Sequence, residues 1–491
     1  MSKHIFKAFV LAACVLPVVS SCELDQYPET ELVTEESFVY TSDAENYYVG
    51  LLSCIRSVSN GSGPYSEVQA DLFNLVWKAT YYTQLHDWTF TQSSFDGDGV
   101  WEGNYYVIAN ANNIINNIDQ IETSDEDELA RLAYIKGTAY FARAYSYSNM
   151  VTRYCQEYDT STATSQLGLP LIYEVDVDYK PSRSSLAETY EQIFSDLELA
   201  EELMNDPENT DYTAPNYNTC RALEARMALA SKDYDRAIEC VDDVLERYSL
   251  YTSKTDYAAI WETDYADAAT ELIFEPVLTT DERTAFFWIY IDYNESSEAY
   301  SPCYMPTQGA IDLYTRGDYR KSIFFTTVSL IAGDVTASGY MLTKFPGNSD
   351  LKVSSEYEYY NMTKPFRTAE LYLIAAEASY MLNGTEGGYL YELQNARSAR
   401  VTESTGNTLF TDIKNEWARE FIGEGYRLDC LKRWGEGFTR LEAQTLTAGF
   451  LDETTGYKDL SIDADNYRWV WEIPTNDLQA NTNLERNWTT E

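Results

Sequence analysis

Residues 219–248 read TCRALEARMALASKDYDRAIECVDDVLERY, and the apolar spacing inside this stretch decides the fold class. Tyr234, Ala237, Ile238, Val241, Val244, Leu245 and Tyr248 recur at helical intervals, so one face of a helix there must be buried. The residues before it, from about Thr219 to Ala230, carry small Ala222, Ala225 and Ala230 and end in the turn Ser231-Lys232-Asp233. Small side chains let two helix backbones approach closely, which predicts a helix hairpin of the tetratricopeptide-like (TPR-like) kind.

Similar units are predicted on both sides of it. Trp101 to Ile118 leads through the acidic link Asp125-Glu126-Asp127-Glu128 into a helix from about Leu129 to Val151. Leu186, Tyr190, Ile193, Phe194 and Leu197 share one face of a helix over 186–204. A further pair starts near Phe366, with Leu371, Ile374, Ala375, Ala378, Met381 and Leu382 in phase, and continues from Leu393 to Val401. The pairs are not consecutive and depart from a regular repeat of roughly 34 residues. The predicted fold class is therefore mostly α: a TPR-like helix-hairpin scaffold with long loop-rich insertions and a few short strands, rather than a regular solenoid. The insertions, near 60–100, 250–310 and 330–365, are rich in Tyr, Trp, Gly, Ser and Asn and read as loops on a stiff frame. Within them the alternation of Phe287, Ile289 and Ile291 with Trp288, Tyr290 and Asp292 predicts a short strand.

The N-terminus predicts an export route. Lys3 and Lys7 precede the apolar run from Ala8 to Val19, too short to span a bilayer but suited to a secretory signal. It ends in Val19-Ser20-Ser21-Cys22, which resembles a bacterial lipobox, so 1–21 is read as a lipoprotein signal peptide and Cys22 as the acylated N-terminus. Residues 22–36 form a polar tether, and 37–491 a single domain. A formal charge of -44 opposes binding to nucleic acid or to anionic lipid, and disfavours strongly anionic polymers as ligands. Cys54, Cys155, Cys220, Cys240, Cys303 and Cys430 are scattered without close pairs, which suggests neither zinc nor a redox motif.

Chemistry is constrained by the rarity of histidine. His4 lies in the signal, leaving His86, so a two-histidine metal site is excluded from the mature chain. A Ser-His-Asp triad would have to use His86, and no nucleophile elbow accompanies it. No P-loop or dinucleotide glycine motif is present. A glycoside hydrolase, which needs two suitably separated carboxylates, passes this filter among 79 acids. The aromatic load is 14%, with 42 Tyr and 10 Trp, more than core packing requires, and flat rings suit the C–H faces of sugars.

Several motifs fall in the order found in the SusD/RagB family. They begin with Trp101-x3-Tyr105 with Ile108 and Asn110 to Asn117, Ala139-Tyr140-Phe141-Ala142-Arg143-Ala144, and Gly168-Leu169-Pro170-Leu171. Ala222-Leu223-x2-Arg226 with Asp233-Tyr234-x2-Ala237 follows, then Arg367-x2-Glu370-Leu371-Tyr372-Leu373-x2-Ala376-Glu377-Ala378 and Asn395-Ala396-Arg397. The last are Glu416-x3-Glu420-Phe421-x2-Glu424-Gly425-x-Arg427-x-Asp429-x3-Arg433-Trp434-Gly435 and Ile473-Pro474 with Asn481 and Asn487. The chain thus resembles that family over nearly its whole mature length, with Trp417 standing where the motif usually has arginine.

The resemblance implies a lipid-anchored glycan-binding protein on the outer membrane surface, without catalytic activity or a cofactor, that works with a TonB-dependent transporter. Peptide ligands are the alternative, since some relatives handle them. The motif Glu and Arg residues are expected to be structural ion pairs rather than catalysts. Two aromatic clusters lie in the insertions where relatives place ligand residues. One holds Asp71, Trp77, Tyr81, Tyr82, His86, Trp88 and Phe90; the other holds Phe286, Trp288, Tyr290, Tyr293, Tyr300 and Tyr304. From these, Trp88 and Trp288 are the leading stacking candidates, Tyr300 and Tyr304 the next, and Asp71 and His86 the hydrogen-bonding partners. Trp101 and Trp434 are assigned to the core. Asp96-Gly97-Asp98-Gly99 is a candidate calcium loop that lacks the full EF-hand pattern and reads first as a turn.

Overall fold

A computed structural model of the chain describes residues 37–59, 63–92, 97–174, 176, 178–281, 287–453 and 460–488. Cys22, the 22–36 tether, Asp96 and Phe286 lie outside the described residues. The hairpin that decided the fold class is formed by helices Tyr217–Ala230 and Tyr234–Leu245. Asn216 caps the first by accepting from the Thr219 amide, and Asp233 caps the second by accepting from that of Arg236. Ala222, Ala225 and Ala237 are fully or almost fully buried at the contact, as close packing demands. Helix Thr368–Asn383 lies against both.

A second group surrounds helix Glu126–Tyr154, which packs on helices Asp98–Asn117 and Leu186–Leu203. Asp125 opens it by accepting from the amides of Asp127 and Glu128. Ser185 and Glu188 close a reciprocal capping box at the start of helix Leu186–Leu203. The three helices are joined at Arg143, whose guanidinium donates to Asp196 at 2.6 and 2.8 Å and to Asn112 at 2.7 Å.

The predicted ion pairs are present, and they join motifs distant in sequence. Arg226 binds Glu370 at 2.6 and 2.7 Å, Arg433 binds Glu377 at 2.8 Å through two nitrogens, and Asp429 pairs with Arg153. The largest group is a buried network of five cations, Arg320, Lys344, Arg367, Arg397 and Arg419, and five anions, Glu271, Asp318, Glu416, Glu420 and Glu424. Equal numbers of charges with mutual hydrogen bonds are what make such a burial tolerable.

Two motif glycines are explained by close approach. An added Cβ at Gly168 would sit 2.2 Å from the Thr189 hydroxyl and 2.4 Å from the Ser185 carbonyl oxygen. Gly425 has φ +89°, and a Cβ there would meet the Cα of Gly63 at 2.3 Å. Gly168→Ala should therefore lower stability by about 1–3 kcal/mol, the usual range for overpacking, read from urea unfolding followed by tryptophan fluorescence.

Strand content departs from expectation in two places. The composition of 330–365 predicts a loop, yet Phe325–Ala332 and Val335–Leu342 form an antiparallel hairpin of eight-residue strands around Gly333-Asp334. Its β-branched run and glycine turn were the available signal. Conversely, the predicted strand over 287–292 is absent: Phe287–Ile289 is a 3-10 turn. Phe287 stacks on Phe345 at 4.0 Å and Tyr290 packs on Phe73 at 4.9 Å, so rings at i and i+3 both point inward, which a strand would forbid. Trp101 lies in the core as predicted, whereas Trp434 is half-buried, its indole N–H donating to Glu377 at 3.1 Å.

Candidate functional site

Strand Phe73–Leu75 pairs antiparallel with Tyr304–Pro306, with Leu75 opposite Tyr304. The Val76 amide continues the contact by donating to the Cys303 carbonyl at 2.9 Å. This pairing joins the 60–100 and 250–310 insertions, and with them the two aromatic clusters.

Where they meet, the Tyr81 and Trp288 rings stand edge to face with centroids 4.5 Å apart. Tyr81 is 51% exposed, Trp288 is half-buried and Trp77, a few residues away, is 36% exposed. Tyr304 lies beneath with no exposed surface, its hydroxyl donating to the Tyr81 carbonyl at 2.7 Å. Lys78 and Tyr82 on either side have left-handed backbones, with φ of 67° and 58°. Such conformations cost a non-glycine residue of order 1–2 kcal/mol, so packing from below holds this loop in one shape.

A second ring group follows along the same chain segment. Tyr293 stacks on Tyr357 at 4.4 Å and meets Tyr300 at 4.9 Å. Strands Tyr293–Asn294 and Ala299–Tyr300 carry these residues, and the pairing of Tyr300 with Leu330 attaches them to the long hairpin. All three tyrosines are half-buried.

Four of the six predicted contact residues are turned inward, and each for a visible reason. Asp71 is buried in a two-pronged ion pair with Arg427 at 2.7 and 2.8 Å. His86 is fully buried, with Nδ1 2.9 Å from the Val68 carbonyl. Since that carbonyl can only accept, the proton sits on Nδ1. Burial, reinforced by Arg440, holds the imidazole well below its ordinary pKa and therefore neutral. Trp88 is 4% exposed, its indole N–H donating to the Gln69 carbonyl at 2.7 Å and its ring against Trp469 at 4.8 Å and Phe438 at 5.8 Å. Tyr304 supports Tyr81 from within. Trp288 and Tyr300 retain exposed surface, and Tyr81, Trp77 and Tyr357 join them. Tyr81 and Trp77 were legible as members of the first cluster; nothing local separated them from Trp88.

Glu67 and Glu275, two carboxyls with raised pKa values, are buried. Burial pushes Glu67 up to about 7, a value useful to a general acid. It is fully enclosed, however, and both its oxygens accept backbone amides, from Gly423 and Gly425. A cleft of about 160 Å³ is lined in part by Arg226, Glu370 and Tyr426, which are already bonded to one another.

Comparison with known proteins agrees with this architecture. A family profile described as "Starch-binding associating with outer membrane" matches residues 24–229, and the profile of the SusD family matches residues 174–489. The chain belongs to the SusD family. Among SusD-family relatives, the Starch-binding protein SusD of Bacteroides thetaiotaomicron is 31% identical over 140 residues. That stretch is 28% of this chain and 24% of the relative. A SusD superfamily protein from the same species superposes with a TM-score of 0.75 at 22% identity, covering 92% of this chain and all of the other. A putative sugar binding protein from Bacteroides vulgatus gives 0.74 at 21% identity, covering 92% and 99%. At these identities the solved structures establish the shared SusD fold.

Proposed function

We propose that this chain is a surface glycan-binding lipoprotein, held to the outer membrane through acylated Cys22, which captures a neutral polysaccharide and passes it to a TonB-dependent transporter. It acts by binding, without a catalytic step or a cofactor. The observation that carries the reading is the partly exposed Tyr81–Trp288 pair, built where two aromatic insertions converge and fixed from below by Tyr304. Perpendicular rings offer a corner in which successive sugar units can lie on different faces. Tyr300, in the second ring group, is a further partly exposed ring, and exposed Asp292 on the same segment supplies an acceptor for sugar hydroxyls. The -44 charge favours an uncharged polymer. The relative named as a starch-binding protein, and the family description that joins starch binding to the outer membrane, support the same ligand class and location.

Native electrophoresis through gels containing amylopectin, arabinoxylan or galactomannan tests this. The Tyr81→Ala/Trp288→Ala variant should lose about tenfold or more in affinity for the polymer that retards the parent protein, because paired aromatic anchors contribute well over 1 kcal/mol. Its thermal midpoint should stay close to the parent's. Undiminished retardation would overturn the assignment. Labelling of cells with radioactive palmitate checks the anchor: Cys22→Ala should abolish incorporation.

A further inference from the structure

On another part of the surface, the loop after the Gly168-Leu169-Pro170-Leu171 motif runs across the start of helix Leu186–Leu203 and leaves a groove of about 480 Å³ between them. Four asparagines fix this irregular segment. Asn112 and Asn116 donate to the carbonyls of Ile172 and Tyr173, each at 2.9 Å. Asn481 and Asn483 donate to those of Pro181 and Lys180 at 2.8 and 2.7 Å. Ile172 and Tyr173 are thus tied to helix Asp98–Asn117, and Lys180 and Pro181 to the C-terminal segment.

What the groove presents is specific in chemistry. Tyr173 and Tyr179 line it with 44% and 53% of their surface exposed, the Tyr173 ring lying with its centroid 5.6 Å from the Arg143 guanidinium. Tyr173 is aimed rather than free: its hydroxyl donates to Gln192 at 2.9 Å, and Gln192 in turn donates to Asp196 at 2.9 Å. Ser182, Ser184 and Ser195 add hydroxyls, and the charged residues of the lining, Glu188 and Glu191, are both acidic. Glu188 stays ionised, because hydrogen bonds from the Ser185 amide and hydroxyl hold its carboxyl below the ordinary range. Two exposed rings, a row of hydroxyls and carboxylate acceptors suit a ligand that has C–H faces and many O–H donors. The carboxylates repel phosphate, sulfate and uronate groups. The volume is within the roughly 300–1,000 Å³ of small-molecule sites.

We propose that this groove is a second binding site for a neutral oligosaccharide or a stretch of neutral polysaccharide, with Tyr173 and Tyr179 as stacking surfaces and Glu191 and the serines as hydrogen-bond partners. The asparagine bonds at residues 172–173 and 180–181 lower the cost of ordering the residues beside Tyr173 and Tyr179 on binding. A polymer engaged at both this groove and the Tyr81–Trp288 surface would gain avidity without any new contact.

Four proteins in the same amylopectin, arabinoxylan and galactomannan gels separate the two sites: the parent, Tyr81→Ala/Trp288→Ala, Tyr173→Ala/Tyr179→Ala, and the fourfold variant. The first double variant is expected to keep a weaker but measurable retardation, and the fourfold variant none. The groove variant alone should be retarded several-fold less than the parent with an unchanged thermal midpoint. Ser195→Trp, which fills the groove and removes no ring, should reproduce that loss. The groove assignment is overturned, with the Tyr81–Trp288 surface left intact, if that double variant already shows no retardation or if the groove substitutions change nothing. If none of these polymers retards the parent, both assignments fall. Stronger retardation by polygalacturonate than by the neutral polymers would also overturn the stated chemistry.

Discussion

Replacing Glu420 by alanine is expected to leave the chain largely unfolded near neutral pH. The Glu420 carboxylate accepts from Arg320 and Arg367 at 2.8 Å, from Arg397 at 3.1 and 3.2 Å, and from the Tyr257 hydroxyl at 2.9 Å. Its side chain and those of the three arginines have no exposed surface. Removing one partner of a buried pair costs about 3–5 kcal/mol, because the remaining charge stays in the interior without compensation. Here three guanidiniums lose an acceptor together, and folded domains have only about 5–15 kcal/mol to lose. Glu420→Gln, which keeps the shape and loses the charge, should be intermediate; far-ultraviolet circular dichroism in a urea series ranks the three proteins. A Glu420→Ala variant as stable as the parent would mean that the network contributes nothing.

The same network predicts acid sensitivity with a definite sign. Burial alone would raise the pKa of Glu416, but Arg320 and Arg419 outweigh it and bring it to about 2. Glu420 is likewise held well below the ordinary range, burial being overcome by Arg397, Arg367 and Arg320. A carboxyl with a depressed folded pKa contributes stability that is complete above its unfolded value, near 4.5, and is lost as pH falls through the folded one. The urea midpoint should therefore drop steeply between about pH 4.5 and 2.

The second large effect contrasts two tryptophans that local sequence does not distinguish. Trp88→Ala should destabilise the protein by about 3–5 kcal/mol, the range for truncating a buried aromatic, because it empties a space between Phe438 and Trp469 and orphans the Gln69 carbonyl. Trp288→Ala should leave the thermal midpoint within a few degrees and lower polysaccharide retardation instead. Taking Trp88 as a surface ring gives the opposite expectation, a loss of binding at constant stability. Measuring both properties on both variants decides between a core and a binding role for each.

The scaffold was legible because helical periodicity is local. The facing apolar residues of Tyr234–Leu245, those of Leu186–Leu203 and the small alanines of Tyr217–Ala230 each recur within a few residues along the chain. Their consequences follow from helix geometry alone. The ion pairs were legible in kind, since a motif rich in Glu and Arg on helices must satisfy its charges. Their partners were not: Arg226 with Glu370 and Arg367 with Glu420 meet only after distant helices pack.

The aromatic surface was legible as a supply of rings and as two clusters, but not as a selection among them. Within 71–90 the positions alternate between inside and outside without a fixed period, because left-handed turns at Lys78, Tyr82 and Trp88 reset the direction of the chain. The sequence by itself settled the helical class, the paired charges and the placing of aromatic residues in insertions, all of which depend on neighbours along the chain. Tertiary structure alone decided which rings face water. That choice depends on the pairing of Phe73–Leu75 with Tyr304–Pro306 and on what Phe438 and Trp469 cover, contacts between segments hundreds of residues apart that no local pattern encodes.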